Sequence, residues 1–238
     1  MSEPLKISGI SKSFGDRVVL DEVGFCVKKG QIFGFIGLNG VGKTTLIKII
    51  LDLLDEDDGA VTIFGVSKNL PASRQKLFYL PEKFSPSPYL KGDEFLRFVL
   101  DFHGLKLDLE RLRELCINLD FSFEMLRHKV TKYSKGMVQK LGLIATFLSD
   151  ADLVILDEPM SGLDTKARIN LKRELLEYKK RGKTVFFSSH ILVDMDEICD
   201  EIAVLDAQKI VFVGSPAAFK ARHQQDDLDK AFLRQISV

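Results

Sequence analysis

The sequence predicts an α/β fold built on a mainly parallel sheet, with an N-terminal antiparallel β subdomain and a helical subdomain inserted at about residues 83–150. Three features predict it. Short β-type runs punctuated by Gly fill the chain up to Phe64; helical periodicity follows from Gly92 to about Ser149; after Asp150 strands alternate with helices, the pattern of parallel strands joined by crossovers.

The N-terminal runs are Leu5–Ile10, Arg17–Leu20, Val23–Val27, Gln31–Ile36 and Ala60–Phe64, rich in the branched and aromatic residues that suit a pleated, half-buried surface. Lys76–Leu80 reads as a further strand stopped by Pro81, and Pro86 and Pro88 keep the segment to Lys91 a loop. Within the insertion, Phe95, Leu96, Val99 and Leu100, and again Leu109, Leu112, Leu115 and Leu119, recur at helical spacing. Beyond it come strand Leu153–Leu156, helix Lys166–Lys180, strand Thr184–Ser188, a helix from Ile191, and strands Ile202–Leu205 and Ile210–Val213. A final helix over Asp226–Val238 is expected to put Leu228, Ala231, Phe232 and Leu233 on one side. Sheet elements lie on both sides of the insertion, so residues 1–238 read as one domain with two lobes.

Composition narrows the function. Lys plus Arg equals Asp plus Glu at 34 each, which gives no global basic field and disfavours nucleic acid as a direct partner. Cys26, Cys116 and Cys199 are far apart and form no CxxC, so they read as reduced, buried small hydrophobes in a cytosolic setting rather than a zinc site. The start, MSEPLKISGI, lacks a leader pattern, and no apolar run approaches the ~20 residues that span a bilayer. Any membrane role has to come through a partner.

Residues Gly37–Thr45 read GLNGVGKTT, after the apolar run Gln31–Ile36 and before the helix-forming Leu46–Leu51. The G-x-x-x-x-G-K-[ST] spacing lets a flexible backbone through Gly37, Asn39, Gly40 and Gly42 curl its N–H groups around phosphate oxygens. The following helix presents its positive end to the same anion, and Thr44 and Thr45, between loop and helix, join the binding residues. Lys43 then reaches the β- and γ-phosphates and Thr44 can ligate Mg²⁺, which defines a P-loop NTPase core. Leu153–Leu156 runs into Asp157-Glu158, placing paired carboxylates at the C-terminal edge of the sheet, where ligands bind. Asp157 suits the Mg²⁺ shell beside Thr44, and Glu158 suits polarising a water aimed at the γ-phosphate. Ser134 is a natural N-cap and Gly136 exposes backbone N–H, so the start of the helix Val138–Leu148 is either a plain cap or a second anion site.

The order of these segments, namely phosphate loop, Ser134-Lys-Gly136, LVILDEP at 153–159, SGLD at 161–164 and His190, resembles the ATP-binding subunit of ABC transporters from about Leu5 to Gly214. The resemblance implies that Phe14, in Lys12-Ser-Phe-Gly15, stacks on adenine, that His190 hydrogen-bonds the γ-phosphate, and that Asp164 contacts the opposite subunit. It further implies a homodimer in which two ATP molecules lie between the phosphate loop of one chain and Ser134–Gly136 of the other. Separately encoded transmembrane permease subunits would hold the chain at the cytoplasmic face of the membrane. The loop Pro81–Lys91 would receive them, with Phe84 and Tyr89 either exposed for that contact or packed in the core.

Two positions depart from the common family pattern. The signature reads YSKGM where LSGGQ is usual, so Lys135 replaces a Gly and Met137 a Gln; it is similar to a variant of exporter-type ATPases. At the loop where the family generally carries Gln this chain has Glu82, a carboxylate that can serve as an oxygen ligand for Mg²⁺. The runner-up reading is a soluble ABC-type ATPase acting on ribosomes or DNA. Such proteins usually carry paired domains or a long coiled-coil insertion, and this chain shows neither. A GTPase switch is disfavoured by the lack of an NKxD sequence.

Overall fold

The computed structural model describes residues 3–237. In chain order the elements begin with β1 (Leu5–Phe14), β2 (Arg17–Val27), β3 (Ile32–Ile36), α1 (Lys43–Ile50), β4 (Asp58–Ile63), β5 (Val66–Ser67) and β6 (Leu77–Leu80). The insertion holds α2 (Gly92–Phe102), α3 (Leu109–Asn118) and α4 (Lys135–Leu148), with 3-10 turns at Phe123–Arg127 and Val130–Lys132. Then follow β7 (Leu153–Asp157), α5 (Thr165–Lys180), β8 (Thr184–Ser189), α6 (Leu192–Ile198), β9 (Glu201–Asp206), β10 (Lys209–Gly214), α7 (Pro216–Arg222) and α8 (Leu228–Ile236).

The N-terminal sheet is antiparallel, in the order β2-β1-β4-β5. The runs Arg17–Leu20 and Val23–Val27, read as separate strands, are one strand: Glu22 adopts φ +51° inside it, and the pairing with β1 shifts register around that point instead of stopping. A bulge absorbs the irregular residue and keeps the ladder. The second sheet runs β10-β9-β3-β8-β7-β6, with every neighbouring pair parallel except β9 with β10. The parallel strands therefore end along one edge, which collects the loops after β3, β6, β7 and β8.

Period-2 alternation splits the core between the two faces of this sheet. Ile32 and Ile36 of β3 join the helices α4 and α5, whereas Phe33 and Phe35 face α1 and the N-terminal sheet. There Phe25 of β2 stacks on Phe33 with ring centroids 5.2 Å apart, binding the two sheets together. On the other face Tyr178 of α5 is fully buried and its hydroxyl donates to the Ala151 carbonyl at 2.7 Å. Tyr178→Phe leaves that carbonyl unpaired and is expected to cost about 1–2 kcal/mol in denaturant unfolding; an unchanged midpoint would contradict the account of this corner.

The insertion is tied to the core by Glu174 of α5, buried at 3% exposure, which accepts from Arg111 and Asn118 of α3. Three sequence expectations shift here. Leu233 is exposed rather than sharing the buried face of α8 with Leu228, Ala231 and Phe232, because at 3.6 residues per turn it lies about 140° around the helix from Leu228. Phe84 is partly buried, with its ring edge-on to Phe95 at 5.5 Å, while Tyr89 stands exposed. Of the cysteines only Cys116 is fully buried; Cys26 and Cys199 are half-buried, and all three are free thiols.

Candidate nucleotide-binding and catalytic site

The loop after β3 is forced into shape by its glycines. A Cβ on Gly37 would sit 2.7 Å from Val41 Cγ1 and 2.9 Å from the Leu205 carbonyl oxygen, and Gly42 holds φ +123°, conformation and space that only glycine accepts. Gly42 is also the N-cap of α1 and has no side chain to satisfy the first amides of the helix, which remain available to an anion. The loop borders a cavity of 350 Å³ lined by Asn39, Gly40, Gly42, Lys43, Thr44, Thr45, Glu82, Lys83, Glu158 and His190.

Strand order explains how residues so distant in sequence meet. Lys43 follows β3, His190 follows β8 and Glu158 follows β7, and these strands are adjacent in the order β3-β8-β7. Glu158 occupies φ +50°, a conformation disfavoured for a side chain of this type, and its amide is pinned by the carbonyl and hydroxyl oxygens of Ser188 at 3.2 and 3.1 Å. Its Oε2 lies 2.7 Å from His190 Nδ1 and also accepts the His190 amide at 3.3 Å. Its Oε1 is buried, lies 3.5 Å from Lys43 Nζ and has no hydrogen-bond partner among the described residues. Lys43 Nζ itself donates to the carbonyls of Gly37 at 2.7 Å and Leu38 at 3.3 Å.

Asp157, 1% exposed, accepts from Thr44 Oγ1 at 3.1 Å and from Ser188 Oγ at 2.5 Å. Burial pushes its carboxyl pKa up, against the pull of those two hydrogen bonds, and the neighbouring charges of Glu158 and Glu82 add to the rise. Tyr79, behind the same corner, is pushed up to about 12 by burial and by the charges of Asp157 and Glu82. Thr44 Oγ1, bonded to the buried Asp157 carboxylate, lines the cavity together with Glu82, and these are hard-oxygen donors of the kind that Mg²⁺ takes together with phosphate oxygens, so their chemistry fits that ion.

Other sequence-predicted residues lie outside the cavity. Ser134 caps α4 through its Oγ, which accepts the Met137 amide at 3.2 Å. Gly136 follows with open space: its nearest neighbour for a Cβ is the Gly162 carbonyl at 3.5 Å. Asp164 caps α5 by accepting the Ala167 amide at 2.8 Å. Phe14 stands half-exposed at the tip of the β1–β2 hairpin, whose residues Val19 and Leu20 pack against Gly42. Sequence reasoning missed Lys83, whose only signal is its place beside Glu82, and Ser188, whose signal is a polar residue ending an apolar strand.

Fold, loop and carboxylate edge define a nucleoside-triphosphate-binding α/β ATPase domain. The family model "ABC transporter" matches residues 20–161, and the chain belongs to that family, whose domains hydrolyse ATP. It is similar to an uncharacterised ABC transporter ATP-binding protein of Synechocystis, at 36% identity over 83% of this chain and 57% of that protein. It is also similar to the Nod factor export ATP-binding protein I of Sinorhizobium fredii, at 30% over 90% of this chain and 63% of that protein. The chain thus spans less than two-thirds of the length of either relative. Among solved structures it superimposes on an ATP-binding subunit of an ABC transporter with a TM-score of 0.90 and 29% identity, covering 98% and 99% of the two chains. A dimeric bacterial ABC transporter cassette shares the fold, with a TM-score of 0.80 at 21% identity over 89% and 98%.

Proposed function

We propose that this chain is an ATP-binding and ATP-hydrolysing subunit that powers an ABC transporter, an exporter, by ATP-driven closure of two copies. The observation that carries the proposal is Glu158, strained at φ +50° and held between Lys43 and His190 with one buried oxygen free. That oxygen is the acceptor for a proton from a water directed at the γ-phosphate. The phosphate loop amides and Lys43 Nζ hold the phosphate chain, and with Glu158 ionised, His190 Nδ1 must donate to Oε2. That bond orients the ring and leaves Nε2 available to a phosphate oxygen. Thr44, Asp157 and Glu82 would hold Mg²⁺, which when bound neutralises developing phosphate charge.

Ser134 and Gly136 lie outside the cavity of their own chain, as expected if they complete the site of a second copy across a head-to-tail interface; Asp164 would meet the partner at the same junction. The fold likeness to a dimeric cassette supports this arrangement. No helix among the described residues is long and apolar enough to cross a membrane; family membership supports separate permease subunits that hold the chain at the cytoplasmic face. Tyr89 and the exposed Phe98 and Phe102 of α2 make the surface offered to them. Export is favoured by the YSKGM signature and by similarity to a relative named for export. Extraction from membranes together with a polytopic protein is the expected result; sedimentation with ribosomes instead would point to the soluble alternative.

Glu82 gives a narrower prediction. Replacing it by Ala removes a carboxylate from the metal side of the cavity and is expected to lower ATP turnover and its stimulation by the membrane partner, by roughly the tenfold typical of a lost metal-site contact. Unchanged turnover and stimulation in Glu82→Ala would remove Glu82 from the metal site.

A further inference from the structure

Phe14 belongs to neither apolar cluster of the protein, and at a hairpin tip nothing in the core orients its ring. The orientation comes from Asp57, the residue just before β4. Its Oδ1 accepts from Lys12 Nζ at 2.6 Å, its Oδ2 accepts the Ser13 amide at 2.6 Å, and its own amide donates to the Ser11 carbonyl at 2.9 Å. One carboxylate therefore grips consecutive residues that lead directly into Phe14. The hydrogen bonds from Lys12 and from the Ser13 amide hold the Asp57 carboxyl below the usual range, so it is ionised at neutral pH. The Lys12 side chain, only 13% exposed, sets its ammonium 5.6 Å from the centre of the Phe14 ring. A cation on one face draws π density toward itself and leaves the opposite face better suited to an electron-rich purine.

We propose that Asp57 is a positioning residue for the nucleotide base: by clamping Lys12 and Ser13 it fixes Phe14 as a polarised stacking platform. The proposal rests on the reading of Phe14 as the adenine contact. In this role Asp57 acts on the base through the Phe14 ring, by way of Lys12 and Ser13.

Titration calorimetry of the full chain with ADP, and with inorganic pyrophosphate as a probe lacking the base, tests this without turnover. Base–aromatic stacking implies that Phe14→Ala weakens ADP by about tenfold. Asp57→Ala is expected to weaken ADP by roughly three- to tenfold, a share of the same stacking, and to leave pyrophosphate affinity unchanged. The double variant should bind ADP no more weakly than Phe14→Ala. Should Asp57→Ala fail to fold, Asp57→Asn, which keeps an acceptor and loses the charge, is read in the same way. Equal losses for ADP and pyrophosphate, additive losses in the double variant, or an Asp57 variant with normal ADP affinity beside a weakened Phe14→Ala, would each overturn the positioning role. Normal ADP affinity in Phe14→Ala would instead remove the platform itself.

Discussion

Glu158→Gln is expected to stop phosphate release while leaving ATP bound, and to accumulate a dimer in the presence of ATP. Gln preserves the volume and one acceptor toward His190 Nδ1, 2.7 Å away, but its amide cannot take a proton from water. General-base loss of this kind costs about a hundredfold to ten-thousandfold in rate. The variant leaves the proposed dimer surfaces untouched, so ATP is expected to draw two copies together, with nothing to remove the γ-phosphate contacts proposed to hold them. Size exclusion with light scattering should show a dimer with ATP and a monomer without it. Rapid phosphate release by this variant would move the base elsewhere.

Lys43→Ala is expected to abolish nucleotide binding. Its ammonium lines the cavity beside the loop and donates to the carbonyls of Gly37 and Leu38, which in the proposed function it exchanges for phosphate oxygens. Charge-assisted bonds of this type are worth about 1.5–3 kcal/mol each, so losing them weakens ATP by roughly a hundredfold or more. The variant also leaves the Glu158 carboxylate, 6% exposed, without its neighbouring cation, so a fold control is needed. Thermal unfolding supplies it: ATP should raise the midpoint of the parent chain by mass action and leave the variant unmoved. A normal ATP-induced shift in Lys43→Ala would sink the assignment of the loop.

What could be read in the sequence follows from which physical signals are local. β3, β7 and β8 are buried along their whole length and show as continuous apolar runs, and the phosphate loop shows because its glycines and lysine stand at fixed spacing. The caps at Ser134 and Asp164 are local too, and both are present. Strand order is not local. Only the adjacency of β3, β8 and β7 brings Lys43 and His190 to Glu158, and only the fold reveals that Ser188 ties Asp157 to the Glu158 amide. The bulge at Glu22 escaped because its two flanks look like separate short strands. Asp57 carries no motif; its meaning lies in contacts with residues 44 and 45 positions earlier in the chain.

In the proposed function each nucleotide site is built from two chains, which a mixing experiment tests most directly. Gly136→Asp puts a carboxylate at the start of α4, the proposed contact to the partner's nucleotide, at a position whose added Cβ meets nothing closer than 3.5 Å, so the fold is expected to be preserved. Lys43→Ala spoils the phosphate loop, and each variant alone should release no phosphate from ATP. Mixed together, the intact loop of the Gly136→Asp chain meets the intact Ser134–Gly136 of the Lys43→Ala chain, and one complete site forms per mixed dimer. Phosphate release on mixing is the predicted result; a mixture as inactive as its components would contradict a site shared between chains.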